Sequence, residues 1–169
     1  MKKDLTNSII DRQNILNNEL ALEEIHTVTN IQTVFFNDKH YVTKEAVALF
    51  FEIDIRTIER YISNNGDELK NNGYEVLKGK KLKDFIAYIN NLDVADINVG
   101  NISNRTPQLG LFDFKAFLNI AMLLSESEKA RELRQLMLDV FIDLINKKTG
   151  GRTKYINQRN KDFVFASLQ

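Results

Sequence analysis

The chain has 169 residues, of which 43% are hydrophobic and 27% are charged, as expected for one globular domain or one domain with helical attachments. The absence of cysteine excludes disulfides, thiolate catalysis and cysteine-ligated zinc. No apolar run is long enough to cross a bilayer and Met1 is followed by polar residues rather than a signal peptide, so we expect a cytoplasmic protein.

The formal net charge is zero, with 23 basic and 23 acidic residues, whereas a nucleic-acid-binding domain is usually basic. The basic residues are nevertheless clustered. Residues 78–83 contain four lysines, and residues 147–161 contain basic residues but no acid. The acids concentrate in residues 19–24 and 126–132. The sequence therefore predicts local basic patches on a neutral molecule.

Residues 1–30 are predicted to form an N-terminal helical arm. A polar helix over residues 4–26 carries only a thin apolar stripe, made of Leu5, Ile9, Leu16 and Leu20. Two interpretations are open. The arm is either partly disordered or a helix that packs against a partner subunit.

Residues 31–90 are predicted to form a winged helix-turn-helix DNA-binding domain that begins with a β-hairpin. Residues 34–36 and 40–42 are rich in strand-forming side chains, and residues 37–39 supply the turn. In this setting we expect His40 to lie on the surface of a strand rather than to bind a metal.

A pair of short helices is predicted next. Thr43 caps a helix that ends near Phe51, and Asp54 caps a second helix over Ile55–Asn65, with Gly66 at its C-cap. The apolar positions fall at helical spacing: Ala46, Val47 and Phe50 in the first helix, and Ile55, Ile58 and Ile62 in the second. Two such faces joined by a short link bury each other, as in a helix-turn-helix.

The polar face of the second helix is the candidate surface for reading DNA. A helix fits the major groove, where arginine can pair with guanine and asparagine with adenine. The candidate residues on this helix are Arg56, Thr57, Arg60, Ser63 and Asn64. Because the N-terminal part of a recognition helix usually approaches the bases, the first three are the strongest candidates. Thr43 and Lys44 are predicted to hold a phosphate at the start of the first helix.

A basic strand-turn unit is predicted after the helix pair. Asp67 begins a short helical turn, residues 74–77 form a strand, and a helix follows over Leu82–Asn90. The lysines of the intervening turn are Lys78, Lys80 and Lys81. We expect this unit to form a wing whose lysines contact phosphates of any sequence.

Residues 91–108 are predicted to be a linker or inserted loop, and residues 108–112 a strand that returns to the hairpin or the wing. Residues 152–169 are predicted to be a C-terminal tail. Because this tail stops within an apolar run, it either belongs to something longer or docks on its own domain.

Residues 109–151 are predicted to form a helical hairpin that packs on the core. Asp113 caps an apolar, buried helix that ends at Leu124, and Ser125 with Glu128 forms a capping box for the next helix. The apolar face of this last helix consists of Ala130, Leu133, Met137, Val140, Phe141, Leu144 and Ile145.

The segment VTKEAVALFFEIDIRTIERYI resembles the helix-turn-helix of the RhuM-type family of bacterial and phage-derived DNA-binding proteins. The family patterns are T-x-x-x-x-A-x-L-F and D-x-x-T-I-x-x-x-I, and the matching residues are Thr43, Ala48, Phe50, Phe51, Asp54, Thr57, Ile58 and Ile62. The segment LGLFDFKAFLNIAMLLSESEKARELRQLMLDVFIDLI is similar to the family's later helices, with Ser127, Arg131, Arg134 and Phe141 near matching places.

Phage domains of the KilA-N and Bro-N kind share this mobile-element context. The chain departs from the family pattern at Glu52, where a small residue is usual, and at Ile55, where a more polar one is usual. The resemblance implies DNA binding without naming a target, and we expect a transcriptional regulator of bacterial or phage origin that binds double-stranded DNA sequence-specifically. The expected fold is α+β and mainly α: a winged helix-turn-helix followed by a helical C-terminal region.

The sequence also bears on two other classes of function. An enzyme is disfavoured because the two histidines, His26 and His40, lie in unrelated segments and no HExxH, GxSxG, GxxxxGK or GxGxxG motif occurs. We therefore predict no catalytic residue, no cofactor and no metal site. A protein-interaction module such as an antitoxin or adaptor is the alternative, with the helix over residues 126–148 and the N-terminal arm as its surfaces. The same two surfaces are candidates for a homodimer interface.

Overall fold

The computed structural model describes residues 4–29, 31–91 and 107–148, which form a mainly helical fold with one small antiparallel sheet. The helices are α1 (Ile9–Leu16), α2 (Glu19–Val28), α3 (Lys44–Phe50), α4 (Ile55–Asn64), α5 (Gly66–Asn71), α6 (Gly79–Asn90), α7 (Phe114–Leu123) and α8 (Glu128–Lys148). The strands are β1 (Val34–Phe36), β2 (Lys39–Thr43), β3 (Tyr74–Leu77) and β4 (Leu109–Asp113).

The chain divides into two compact units. One, here called the sheet unit, spans residues 31–120. The other, here called the helical unit, combines residues 1–30 with residues 121–169. The division falls within α7, so the predicted segment 109–151 contributes to both units. The predicted tail and most of the predicted linker lie outside the described residues.

The sheet has the strand order β1-β2-β4-β3, and every neighbouring pair is antiparallel. The predicted hairpin is confirmed: Asn37 and Asp38 both take left-handed backbone angles, with φ of 51° and 63°, as a two-residue primed turn requires. Strand β4 pairs with β2 on one side and β3 on the other. The predicted strand therefore returns both to the hairpin and to the strand at 74–77.

Helix α6 and the sheet share a hydrophobic core. The buried members are Val34, Tyr41, Leu77, Leu82, Phe85, Ile86, Ile89, Leu109 and Leu111. Phe36 packs its ring edge-on against Phe85, with 5.2 Å between the ring centroids. Burial of these side chains fixes α6 in place, since apolar area removed from water contributes about 25 cal/mol per Å².

An aromatic cluster connects α7 to the link that follows α3. Phe51 stacks on Phe117 at 5.2 Å, and Phe50 meets the same ring edge-on at 5.3 Å. As predicted, Asp113 caps α7: its Oδ1 accepts a hydrogen bond from the Ala116 N–H at 2.8 Å. The predicted burial of α7 is also confirmed, because its residues from Ala116 to Met122 are shielded from solvent.

A buried polar network joins α5 to α7 within the sheet unit. Asn72 Nδ2 donates to Asn119 Oδ1 at 2.9 Å, and Asn119 Nδ2 donates to Glu68 Oε2 at 2.6 Å. Gly73, next in the chain, has a φ of 112°, and a Cβ there would collide with the Asp113 carboxylate. The turn after α5 therefore requires glycine.

The N-terminal arm differs from the prediction of one helix over residues 4–26. It consists of two short helices, because Ser8 and Asn18 each cap a new helix start. The buried Arg12 donates from Nη1 to the Leu5 carbonyl oxygen at 2.8 Å and thereby holds the segment before α1. Both α1 and α2 contact α8, so the arm packs on its own chain.

Helix α8 also departs from the prediction in two respects. Its first turn is capped by Ser127, whose Oγ accepts the Ala130 N–H at 3.1 Å, and not by the predicted Ser125. The predicted apolar face is only partly buried, because Ile145 is exposed while Asp139 and Asp143 are shielded from solvent.

Candidate nucleic-acid interface

Helices α3 and α4 contact each other and are joined by residues 51–54. The link is tight: the Ile53 N–H donates to the Ala48 carbonyl oxygen at 3.1 Å, and Glu52 adopts a left-handed φ of 57°. Glu52 thus takes a conformation that glycine adopts at lower cost.

Capping starts both helices where the sequence predicts. Thr43 Oγ1 accepts the Ala46 N–H at 3.1 Å, and Asp54 Oδ1 accepts the Arg56 N–H at 2.8 Å. The end of α4 differs from the prediction: Asn65 occupies the C-cap, and Gly66 begins α5. Each cap satisfies a backbone donor that the helix itself leaves unpaired.

Helix α4 buries one narrow side. Ile58 is fully buried, whereas Ile55 and Ile62 are only half-buried, so the predicted apolar face is thinner than expected. The residues on the opposite side are exposed: Arg56, Arg60, Ser63 and Asn64. Their spacing of four, three and one residues puts them on one stripe of a helix with 3.6 residues per turn. Thr57 lies beside this stripe and is half-buried.

The acids near the exposed stripe are paired with cations. Asp54 accepts from Arg56 Nε and Nη2 at 3.3 and 3.2 Å, and this hydrogen bonding lowers the pKa of Asp54 below its ordinary value. Glu59 Oε1 lies 3.2 Å from Lys44 Nζ, which joins α4 to the start of α3. The negative charges that would repel a phosphate are therefore partly offset.

Arg56 remains accessible despite this pairing, because its side chain is 84% exposed. An ion pair at so exposed a position is weak, so the guanidinium can leave Asp54 for another acceptor. The neighbouring Arg60 guanidinium carbon lies 5.4 Å from the centroid of the Tyr61 ring. That ring gives the arginine a flat surface to stack against.

The two predicted phosphate contacts at the start of α3 differ in how far their side chains are accessible. Thr43 is 2% exposed and its hydroxyl is occupied by the helix cap, so its side chain cannot reach a ligand. Lys44 is partly exposed, and its ammonium group pairs with Glu59. Sequence reasoning missed this ion pair because it joins residues of two different helices.

The lysine cluster is exposed as predicted, but the element that carries it is different. Lys78 occupies the N-cap of α6, and Lys80 and Lys81 lie in its first turn rather than in a strand-turn unit. No side chain caps this helix and no acid lies in its first turn. The positive end of the helix dipole therefore coincides with the lysines.

A further lysine lies close to this cluster and was not singled out by the sequence. Lys39 of the hairpin and Lys81 of α6 line the same pocket of about 210 Å³, together with Tyr41 and Glu75. Burial and a hydrogen bond with Glu75 raise the pKa of Tyr41 to about 12, so its hydroxyl stays neutral near pH 7. A lysine at a hairpin turn is the only signal that could have indicated this contribution.

The described residues contain neither a candidate metal site nor a candidate membrane-spanning helix. Residues 4–29, 31–91 and 107–148 contain no group of three or more histidine, cysteine, aspartate or glutamate side chains that could hold a metal ion. In the same part of the chain, no helix has the length and hydropathy to cross a bilayer.

Comparison with known proteins adds no assignment. No protein-family model, curated protein or solved structure gives a significant match to this chain.

Proposed function

We propose that this protein is a cytoplasmic, sequence-specific DNA-binding regulator in which α3 and α4 act as a helix-turn-helix. Helix α4 is the recognition helix. The observation that carries the proposal is the exposed stripe of Arg56, Arg60, Ser63 and Asn64 opposite the buried Ile58. The sequence resemblance to RhuM-type proteins of phages and mobile elements supports the same function.

The stripe suits the major groove in size and chemistry. A helix of this length extends about 15 Å, and the groove is about 12 Å wide. Arginine donates two parallel hydrogen bonds to guanine, and asparagine can both donate to and accept from adenine. The N-terminal half of α4 carries Arg56, Thr57 and Arg60, so we expect these residues to contact bases while Ser63 and Asn64 contact the next base or a phosphate.

The lysines of α6 would supply contacts that do not depend on sequence. Lys78, Lys80 and Lys81 surround an uncapped helix start, and Lys39 adds to the same charged surface. Each phosphate neutralised by such a residue releases counterions, which makes the affinity fall with salt. We propose that this surface replaces the lysine-bearing loop of a winged helix.

The zero net charge is compatible with this proposal because the relevant acids are paired locally. Lys44 offsets Glu59, and Asp54 holds Arg56 along the side of α4. On binding, Arg56 would exchange an exposed carboxylate for a guanine edge. The exchange costs little, since an ion pair between two exposed side chains is weak.

The test is a double variant, Arg56→Ala with Arg60→Ala. Duplex fragments retained by the wild-type protein are first selected from genomic DNA and sequenced, and binding is then measured by fluorescence anisotropy at fixed salt. Each lost arginine contact should cost about 1–3 kcal/mol, so Kd should rise at least thirtyfold.

The matched control is Lys129→Ala with Arg131→Ala, which removes two exposed cations from α8. It should leave the affinity within about threefold of the wild type, a difference of less than 1 kcal/mol. Both double variants should keep the helical circular dichroism of the parent. Unchanged affinity in the Arg56 and Arg60 variant would show that α4 does not read DNA.

A further inference from the structure

A groove in the helical unit leaves apolar side chains exposed. It has a volume of about 570 Å³ and lies between the α1–α2 junction and the last turns of α8. Leu20 and Ile145 in its lining are 57% and 43% exposed, and Phe141 and Leu144 are half-buried. The apolar face of α8 therefore continues beyond the part that α1 and α2 cover.

The same groove is lined by charges of both signs. Glu19 lies in the first turn of α2 and Lys148 in the last turn of α8, and both are exposed. Within the part of the chain that the structure describes, neither side chain forms an ion pair. Exposed apolar side chains thus lie in one groove with an acid and a base that do not neutralise each other.

We propose that this groove binds the same groove of a second copy of the chain. In a two-fold symmetric interface each residue pair occurs twice, so a patch with both charge signs can be complementary to itself. Glu19 would face the partner's Lys148, and Lys148 would face the partner's Glu19. Leu20, Ile145 and the half-buried Phe141 would be removed from water between the two copies.

The charges favour a second copy over a ligand of one sign. A nucleic acid would be repelled by Glu19, and a basic peptide by Lys148. Ile142 lies one turn before Ile145 on α8 and is 42% exposed, so the apolar strip extends along the helix beyond the groove. A strip that continues along a helix suits the antiparallel packing of two α8 helices.

This inference does not rest on DNA binding, because it concerns the helical unit alone and predicts a dimer in the absence of DNA. Where both hold, a dimer would present two copies of α4 to two half-sites related by a two-fold axis.

The experiment is sedimentation of the full chain across the micromolar range without DNA. The wild type should sediment at twice the monomer mass. Leu20→Glu and Ile145→Glu each put a charge into the apolar contact and should raise the dimer dissociation constant at least tenfold. Ile9→Ser, at an exposed apolar residue that does not line the groove, is the control and should leave dimerisation unchanged.

Charge reversal tests the geometry. Glu19→Lys and Lys148→Glu should each weaken the dimer, because like charges would then meet across the two-fold axis. The combination of both substitutions should restore it, since every pair is again opposite in sign. Lys70→Glu, an exposed charge in the sheet unit, should have no effect.

Two results would overturn the proposal. A chain that stays monomeric across the range would leave the groove to a different protein, as an antitoxin or adaptor would use it. A dimer that is insensitive to the groove variants, or that the double reversal fails to restore, would use another surface. Either result is independent of the Arg56 and Arg60 test, which probes the sheet unit.

Discussion

The starts of α4 and α6 are built in opposite ways. At α4, Asp54 caps the helix and pairs with Arg56, and each partner offsets the charge of the other. At α6, Lys78 occupies the cap without a side-chain hydrogen bond, and Lys80 and Lys81 follow in the first turn. Cations near the positive end of a helix dipole are unfavourable by about 0.3–1 kcal/mol each.

The two helix starts differ in what stabilises each helix and in where positive charge is placed. Helix α4 has few buried side chains, so its capped start contributes to keeping it folded. Helix α6 buries Leu82, Phe85, Ile86 and Ile89, and this burial offsets an unfavourable start. A concentration of positive charge is therefore tolerated where the core can support it, as the proposed phosphate-binding surface requires.

The largest expected effect concerns the α6 start. Replacing Lys80 and Lys81 together with alanine should lower the salt dependence of duplex binding by about two units of slope and weaken all sequences alike. The same change should raise the free energy of unfolding by roughly 0.3–1 kcal/mol per lysine. Salt titrations and urea melts measure the two effects. If the double variant lost both stability and affinity for DNA, the lysines would not be unfavourable at the start of α6, and the contrast with α4 would be wrong.

A matched control for this experiment removes two lysines elsewhere. Lys70→Ala with Lys129→Ala changes the net charge by the same amount, and both residues are exposed on other helices. We expect the slope to stay within about half a unit of the wild type, less than the change for one lost phosphate contact.

A smaller effect is expected at the α4 start. Asp54→Ala removes the cap and should lower the melting temperature by roughly 3 °C, whereas Asp54→Asn keeps the capping oxygen and should lower it less. Because the pKa of Asp54 is below its ordinary value of 3.8 in the folded chain, its charge stabilises the fold at neutral pH, and this stabilisation is lost as the pH falls through the folded-state pKa.

Thermal melts between pH 7 and pH 3 compare the two variants with the wild type. Asp54→Asn should reduce the acid destabilisation, since it removes the titrating group. Equal melting temperatures for Asp54→Ala and the wild type would mean that the cap does not support α4.

The smallest effect is expected at the link before α4. Glu52 takes a left-handed φ of 57°, so Glu52→Gly should relieve backbone strain and raise the free energy of unfolding by up to about 1 kcal/mol. Glu52→Gln keeps the strain and removes only the charge. In urea melts, only Glu52→Gly should raise the free energy of unfolding. A similar increase for Glu52→Gln would mean that the charge of Glu52, and not its backbone strain, is responsible.

Short-range signals in the sequence predicted much of this fold. The caps Thr43, Asp54 and Asp113 and the Asn37-Asp38 turn depend on neighbouring residues, so they can be identified without knowledge of the tertiary structure. The exposed side of α4 followed from the spacing of its isoleucines, and Arg56 and Arg60 are exposed as predicted.

Long-range contacts account for what was missed. A glycine followed by two lysines has the character of a turn, yet α6 begins at Gly79 and buries Phe85 and Ile86 in its later turns. The Lys44–Glu59 pair and the Asn72–Asn119 hydrogen bond join distant residues and leave no periodic pattern. The buried Arg12 donates hydrogen bonds to backbone carbonyl oxygens, and a pattern of side chains in the sequence cannot predict such bonds.

Strand β4 determines when the proposed helix-turn-helix, formed by α3 and α4, can fold during synthesis. Both β2 and β3 pair with it, so these strands have unpaired edges until residues 109–113 leave the ribosome. The ring of Phe117, against which Phe50 and Phe51 pack, emerges just after them. For a long stretch of translation, α3 and α4 therefore lack the contacts that β4 and Phe117 provide. Contacts between residues so far apart in the sequence slow folding.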